Sequence, residues 1–355
     1  MTTIEQTEEV YGSADEDVIF ELRDVSVSFD MERGESKVLD DINLDIRRNE
    51  ILGVVGESGS GKSMFAESLL DAVVRPGQLS GEITYYPEPD RPVDLLDLSD
   101  EELRQVRWEE ISLVFQGALD SFNPTISIET HFKETLRAHD ANVDEGLERA
   151  RELISDLYMD PERVLDSYPH ELSGGMKQRA LVALSLVLEP EVLVMDEPTA
   201  ALDLLMQRSI LSLLQELQEK YDLTMVFITH DLPLVSELCD RLAVMYAFEF
   251  AEVGPTADIL TDAAHPYTRL LLQTTPNLDL EPSEMRPIEG SSPDPISLPS
   301  GCRFHPRCPL ADEQCRQEDP ERKEIEPERE VACFHWEQAG QAVALSREDS
   351  QETDQ

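Results

Sequence analysis

Three short apolar runs indicate the fold class. Residues 51–55, 192–195 and 225–228 are apolar throughout, which is typical of strands buried on both faces of a parallel sheet. Between the second and third runs, residues 204–220 have the 3.6-residue spacing of an amphipathic helix. Because buried strands alternate with helices, the pattern predicts an α/β nucleotide-binding fold.

The rest of the chain shows two other patterns. Residues 18–22, 25–29 and 38–46 are predicted to be strands, and residues 25–29 alternate apolar and polar positions. From about 120 to 188 the pattern is helical, with an amphipathic helix at 144–159. Further strands are predicted at 81–86, 111–115, 242–246 and 249–253, the last two as a hairpin.

A glycine-rich turn follows the first apolar run and precedes a predicted helix at 64–70. It consists of Gly56, Glu57, Ser58, Gly59, Ser60, Gly61, Lys62 and Ser63, the G-x-x-x-x-G-K-[ST] pattern of a phosphate-binding loop. Its backbone N–H groups would face phosphate oxygens. Lys62 would reach the β- and γ-phosphates, and the Ser63 hydroxyl would bind Mg²⁺.

Polar residues follow the other two apolar runs. Asp196 and Glu197 end one strand and His230 follows the next, at the sheet edge where α/β proteins bind ligands. Asp196 is suited to hold Mg²⁺ and Glu197 to polarise an attacking water. Ser173, with two following glycines, begins a helix that could also meet a phosphate.

The charge balance excludes some partners. The 355 residues include 75 acidic and 29 basic side chains, a formal net charge of −46, so non-specific nucleic-acid binding is not expected. The hydrophobic content of 40% argues against a disordered acidic protein. With six lysines against 23 arginines, the acidic surface suggests a protein adapted to high salt, a halophilic character that remains a hypothesis.

No targeting or membrane segment is expected. Residues 1–16 lack a basic and apolar signal sequence, and the most apolar stretch, 180–195, is interrupted by Glu189-Pro190-Glu191. We therefore expect an intracellular protein that docks on a membrane partner. Cys239 is expected to be a buried structural thiol.

The ordered motifs resemble those of the ATP-binding subunits of ATP-binding-cassette (ABC) transporters. They are the Walker A loop at 56–63, Gln116, the signature Leu172-Ser173-Gly174-Gly175, the Walker B strand 192–196 with Glu197, the D-loop Ala201-Leu202-Asp203, and His230. The resemblance implies a P-loop NTPase with a RecA-like core, an antiparallel β subdomain and a helical subdomain at about 117–188. That helical subdomain would meet the permease.

The resemblance also implies roles for single residues. Glu197, His230 and Gln116 would be catalytic, and Phe29, at a strand end that could equally be core, would stack on adenine. Ser63, Gln116 and Asp196 would bind Mg²⁺ with ATP. Contacts to ATP on the opposite subunit of a head-to-tail dimer would come from Ser173, Gly174, Gly175 and Asp203.

Other segments resemble the dipeptide and oligopeptide importers. They are Val114-Phe115-Gln116 with Ser121-Phe122-Asn123-Pro124, and His265-Pro266-Tyr267-Thr268-Arg269. This implies a homologous second ATPase, two permease chains, an external substrate-binding protein and a place at the cytoplasmic face of the membrane. The alternatives are nickel or oligosaccharide import, or a soluble non-transport ABC ATPase.

Two segments depart from this subfamily pattern. They are Gly117-Ala118-Leu119, directly after Gln116, and the turn containing Phe248 and Phe250. Neither is expected to touch the phosphate chemistry, although the first could alter permease contacts.

The C-terminal part carries four cysteines. We expect an acidic tail at 1–16, an ATPase domain at 17–254, a Pro-rich linker at 255–300, a cysteine domain at 301–340 and an acidic tail at 341–355. Cys302, Cys308, Cys315 and Cys333 could together hold one metal. Their pattern resembles a [4Fe-4S] ligand set, and zinc or free thiols are the alternatives. His305 and His335 are expected to be neighbours of this site and not ligands.

Overall fold

Two sheets organise the chain. The computed structural model describes residues 17–115, 117, 121–200, 202–274 and 288–345. Within them, one sheet is mixed and has eight strands, and the other is antiparallel and has four strands. The α/β fold predicted from the apolar runs is confirmed.

The helices and strands have the following bounds. The strands are β1 Val18–Met31, β2 Gly34–Arg47, β3 Ile51–Val55, β4 Gln78–Glu88, β5 Arg91–Asp94, β6 Ile111–Val114, β7 Val192–Asp196, β8 Thr224–Thr229, β9 Arg241–Tyr246, β10 Glu249–Pro255, β11 Lys323–Glu326 and β12 Arg329–Val331. The helices are α1 Lys62–Ser68, α2 Asp100–Glu109, α3 Ile128–Ala138, α4 Val143–Asp156, α5 Pro161–Asp166, α6 Gly174–Ser185, α7 Leu204–Tyr221, α8 Leu232–Leu238, α9 Thr256–Asp262, α10 Pro266–Thr274, α11 Glu313–Gln317 and α12 Ala339–Ala342.

The parallel part of the large sheet places three strand ends side by side. The large sheet has the strand order β11-β12-β10-β9-β3-β8-β7-β6, and the small sheet has the order β2-β1-β4-β5. Strand β3 pairs in parallel with β8 and β9, and β8 pairs in parallel with β7. Every residue of β3, β7 and β8 is buried, which explains their continuous apolar sequences. Because parallel strands end at one edge, the segments after Val55, Asp196 and Thr229 converge there.

Two layers cover this sheet. The antiparallel sheet packs Phe20, Leu22 and Val27 into one apolar cluster with Phe65 of α1. Helices α3 to α6 lie between β6 and β7 in the chain, and Phe132, Leu136 and other apolar side chains of these helices join a second cluster. No helix in the described part of the chain has the length and hydropathy needed to cross a membrane.

The predicted linker at 255–300 is wrong over its first part. Residues 256–262 and 266–274 form α9 and α10. Pro255 precedes the first helical residue and Pro266 begins the next helix, so these prolines start helices, a position they favour. The prolines at 276, 282 and 287 lie outside the described residues, as do residues 1–16 and 346–355 of the two predicted tails.

The C-terminal extension, residues 288–345, continues the large sheet. Its strand β12 pairs with β10 through Glu252 and Val253, and β11 pairs with β12. The predicted domain at 301–340 is therefore joined to the ATPase sheet by backbone hydrogen bonds.

Candidate nucleotide-binding site

The glycine-rich loop joins β3 to α1 at the centre of the large sheet. Gly56 has φ 156°, and a Cβ atom on it would lie 2.2 Å from the Met245 carbonyl oxygen, so no side chain fits there. Lys62 is buried and donates to the carbonyls of Gly56 (2.9 Å) and Glu57 (2.8 Å). Burial lowers the pKa of Lys62, and the neighbouring carboxylates of Glu197, Asp196 and Glu57 oppose that shift.

Asp196 lies beside the loop with an unpaired oxygen. Its side chain is 4% exposed, and its Oδ1 atom is fully buried without a hydrogen-bond partner. Burial raises the pKa of Asp196, while a hydrogen bond with the Ser63 side chain acts in the opposite direction. Such an unsatisfied carboxylate oxygen next to a hydroxyl fits a hard cation, since Mg²⁺ prefers oxygen ligands. Asp196 and Ser63 would hold Mg²⁺ here.

Glu197 and His230 are brought into contact by the adjacent ends of β7 and β8. His230 Nδ1 lies 3.0 Å from Glu197 Oε1. The Glu197 side chain is 16% exposed and that of His230 is 62% exposed. A mostly buried carboxylate beside an exposed imidazole can orient a water molecule and neutralise charge that develops on it.

The signature and D-loop residues begin two helices. Ser173 caps α6, its Oγ accepting from Met176 N at 3.3 Å, and Asp203 caps α7, its Oδ1 accepting from Met206 N at 3.0 Å. Ser173 and Gly174 are exposed. Gly175 is buried, and a Cβ atom there would lie 2.0 Å from the Met206 side chain. These helix starts are open to a ligand or partner from outside the chain.

The remaining predicted residues have different outcomes. Phe29 is half-buried, and its ring lies against Gly77, where a Cβ atom would be 2.8 Å from the ring. Stacking of Phe29 on adenine stays a prediction. Gln116 and Ala201 lie outside the described residues.

The turn between β9 and β10 contacts the phosphate-binding loop. Phe248 has φ 77°, and its backbone N–H donates to the Ser60 carbonyl at 3.0 Å. The turn therefore supports the backbone of the phosphate-binding loop, and the expectation that it does not touch the phosphate chemistry stays a prediction. A local sequence pattern cannot reveal this contact, because it joins segments 188 residues apart.

Sequence reasoning also missed the residues that hold Glu57. The Glu57 N–H donates to the Tyr267 hydroxyl at 2.9 Å. Arg307 donates to both carboxylate oxygens of Glu57, at 2.7 Å and 3.0 Å, and Ser292 Oγ donates to the same carboxylate at 3.2 Å. Tyr267 belongs to α10, whereas Arg307 and Ser292 belong to the C-terminal extension.

The four C-terminal cysteines lie in one region. Burial raises the pKa of Cys302, Cys308 and Cys333, and each of these thiols is close enough to another to raise its pKa further. In the described residues, the group of possible ligands within 4.8 Å of one another is Asp312, Cys315 and His335, without the other thiols. Asp312 was not among the predicted neighbours.

Comparison with known proteins gives the family. Residues 39–200 match the family described as "ABC transporter", and residues 251–315 match "Oligopeptide/dipeptide transporter, C-terminal region". The dipeptide transport ATP-binding protein DppD of Caldanaerobacter subterraneus subsp. tengcongensis is 42% identical over 90% of this chain and 98% of its own length. The oligopeptide transport ATP-binding protein OppD of Escherichia coli is 36% identical over 94% and 98%.

Solved structures agree with the sequence relatives. The dimeric ABC transporter cassette MJ0796 superposes with a TM-score of 0.58 at 26% identity, over 67% of this chain and 99% of the cassette. A post-hydrolysis dimer of the same cassette, bound to ADP and Pi, gives the same values. This chain therefore belongs to the ABC transporter ATPases, among the ATP-binding subunits of the oligopeptide and dipeptide transporters.

Proposed function

We propose that this chain binds and hydrolyses ATP at the cytoplasmic face of a membrane and thereby drives uptake of dipeptides or oligopeptides through a permease. The observation that carries the cargo class is the match of residues 251–315 to the C-terminal region of oligopeptide and dipeptide transporters. The names of the relatives that align over most of the chain support it.

In this proposal each residue at the sheet edge has one task. The loop at 56–63 and Lys62 bind the phosphates, and Ser63, Asp196 and Gln116 hold Mg²⁺, which would neutralise phosphate charge. Glu197 polarises the attacking water, and His230, 3.0 Å away, stabilises the γ-phosphate. Phe29 stacks on the adenine ring.

A second ATPase subunit completes the site. Ser173, Gly174, Gly175 and Asp203 would contact ATP held by the opposite subunit. Leu204 and Leu205, directly after Asp203, have 61% and 80% of their surface exposed, which supports a partner at this surface. The further partners are two permease chains and an external substrate-binding protein, and the second ATPase is a homologue in a heterodimer.

Uptake assays test the cargo. Cells that lack this subunit should fail to accumulate a labelled dipeptide or tripeptide and recover when the wild-type chain, but not Glu197→Gln, is supplied. Recovery of nickel or oligosaccharide uptake without peptide uptake would replace the cargo assignment. A stable complex with ribosomes or DNA in place of permease chains would instead indicate a non-transport ABC ATPase.

We also propose that Cys302, Cys308, Cys315 and Cys333 hold a [4Fe-4S] cluster. Four thiols in one region, one of them buried and three half-buried, support it, since thiolates are the usual ligands of such clusters. Protein purified without oxygen should show broad visible absorption and contain about four iron atoms per chain. Stoichiometric zinc without iron would establish the alternative, with Asp312 and His335 as further candidate ligands.

The surface composition supports one more proposal, that the protein is adapted to a salt-rich cytoplasm. The formal net charge is −46, so the acidic side chains repel one another at low ionic strength, and dissolved salt screens that repulsion.

A further inference from the structure

The phosphate-binding loop carries an acid that the C-terminal extension neutralises. Glu57 is the second residue of the loop, and a carboxylate there would repel a bound triphosphate. Arg307 meets it with two parallel hydrogen bonds, 2.7 Å and 3.0 Å long, the bidentate geometry of a strong charge-assisted pair. The side chain of Arg307 is 5% exposed and that of Glu57 is 26% exposed.

Arg307 is itself held rigidly. It donates to the backbone carbonyl of Glu289 at 2.9 Å and to that of Ile288 at 3.3 Å. Its guanidinium lies 5.7 Å from the centre of the Tyr246 ring and 6.0 Å from that of Phe304. Because its orientation is fixed by the extension and by β9, Arg307 can fix the orientation of Glu57.

A second tie joins the same loop residue to the extension. The Tyr267 hydroxyl accepts from Glu57 N, and Tyr267 packs its ring 5.4 Å from Phe304 of the extension. Two residues earlier, His265 hydrogen-bonds the backbone of Ala332, next to Cys333. The segment 265–269 therefore connects the phosphate-binding loop to the cysteine region.

We propose that Arg307 is a positioning residue of the ATP site, supplied by the C-terminal extension, which holds the Glu57 carboxylate away from the triphosphate and cancels its charge. The inference rests on the proposed ATP site and not on the peptide cargo. It makes ATP affinity depend on the structural state of the cysteine region, since Cys308 follows Arg307 directly.

The test is a loss and rescue of ATP binding. In the full chain, Arg307→Met should raise the Kd for a fluorescent ATP analogue about tenfold, because it frees the carboxylate of Glu57. Adding Glu57→Gln in the same chain should bring Kd back to within about threefold of wild type, because the repelling charge is gone. Damage to the fold alone would not be rescued by a second substitution.

Arg322→Met is the matched control. Arg322 belongs to the same extension and pairs with Glu330 at 2.7 Å and with the Asn43 carbonyl, and it should leave Kd within about twofold. If Arg307→Met does not fold, Arg307→Gln keeps an amide that can donate to Glu289, and the same loss and rescue are expected.

Three results would overturn the inference or its basis. An unchanged Kd in Arg307→Met overturns it, and so does a double variant as weak as the single one. If either of these results is found and wild type binds ATP normally, only this inference fails and the proposed ATP site stands. If wild type itself does not bind ATP, the proposed ATP site fails with it.

Discussion

Acid should destabilise this protein through one buried imidazole. His265 is 3% exposed, and its Nδ1 accepts from Tyr267 N at 3.0 Å, which caps the first turn of α10. The rings of Phe304 and Tyr267 lie 5.8 Å and 6.4 Å from it. Burial in this apolar site lowers the pKa of His265 to about 4, because a charged imidazole would lose its hydration.

The sign and size of the effect follow from the two pKa values. Below the ordinary pKa of 6.5, His265 is protonated in the unfolded chain, whereas in the folded chain it stays neutral down to about pH 4. The free energy of unfolding therefore falls by about 1.36 kcal/mol for each unit by which the pH is lowered between these two values. Above pH 6.5 this contribution to the free energy of unfolding is fully present, and at pH 4 it has decreased by about 3 kcal/mol. Between pH 6.5 and pH 5, above the isoelectric point of about 4.3, the loss is about 2 kcal/mol.

Urea unfolding at several pH values measures this slope. In His265→Asn the amide oxygen can still cap α10, but the titrating group is gone. The difference in unfolding free energy between wild type and His265→Asn should therefore shrink by about 2 kcal/mol from pH 6.5 to pH 5. His170→Asn changes an exposed histidine and should run parallel to wild type. Parallel curves for wild type and His265→Asn would refute the reasoning.

Other variants test the chemistry and the surface. Glu197→Gln should lower phosphate release at least about 100-fold while ATP still binds, because the group that polarises water is lost; wild-type turnover would remove Glu197 from that role. Asp196→Asn should make ATP affinity equal in Mg²⁺ and in EDTA, and a retained Mg²⁺ effect would place the cation elsewhere. In a potassium chloride series, the free energy of unfolding should rise between about 0.1 M and about 2 M; equal stability across the series would exclude the salt adaptation.

The sequence was sufficient for the parts of the fold that local pattern determines. Strands β3, β7 and β8, predicted from apolar runs, are buried at every residue. Burial on both faces requires apolar side chains, so the local sequence alone predicts these strands. Strand β11 is Lys-Glu-Ile-Glu and almost wholly exposed, and it has no alternating pattern to find. It pairs because β12 extends the free edge of β10, which is a tertiary effect.

The site divides in the same way. The loop at 56–63 and the carboxylates of Asp196 and Glu197 follow strand ends and were predictable from spacing. The contacts of Glu57 with Tyr267 and Arg307 span 210 and 250 residues. No local motif contains them, because each partner is brought in by a separate element packed against the loop.

The charges at the site explain why these distant contacts matter. In the proposed ATP site, Glu57, Asp196 and Glu197 would place three formal negative charges near a triphosphate, and the positive charge of Lys62 would offset one of them. Arg307 would offset a second, and the two positive charges of a bound Mg²⁺ would exceed the third. Arg307, Mg²⁺ and dissolved salt therefore relieve the same repulsion by different routes. It follows that the loss of ATP affinity in Arg307→Met should diminish as salt rises, whereas the turnover defect of Glu197→Gln, a loss of chemistry, should persist at every salt concentration.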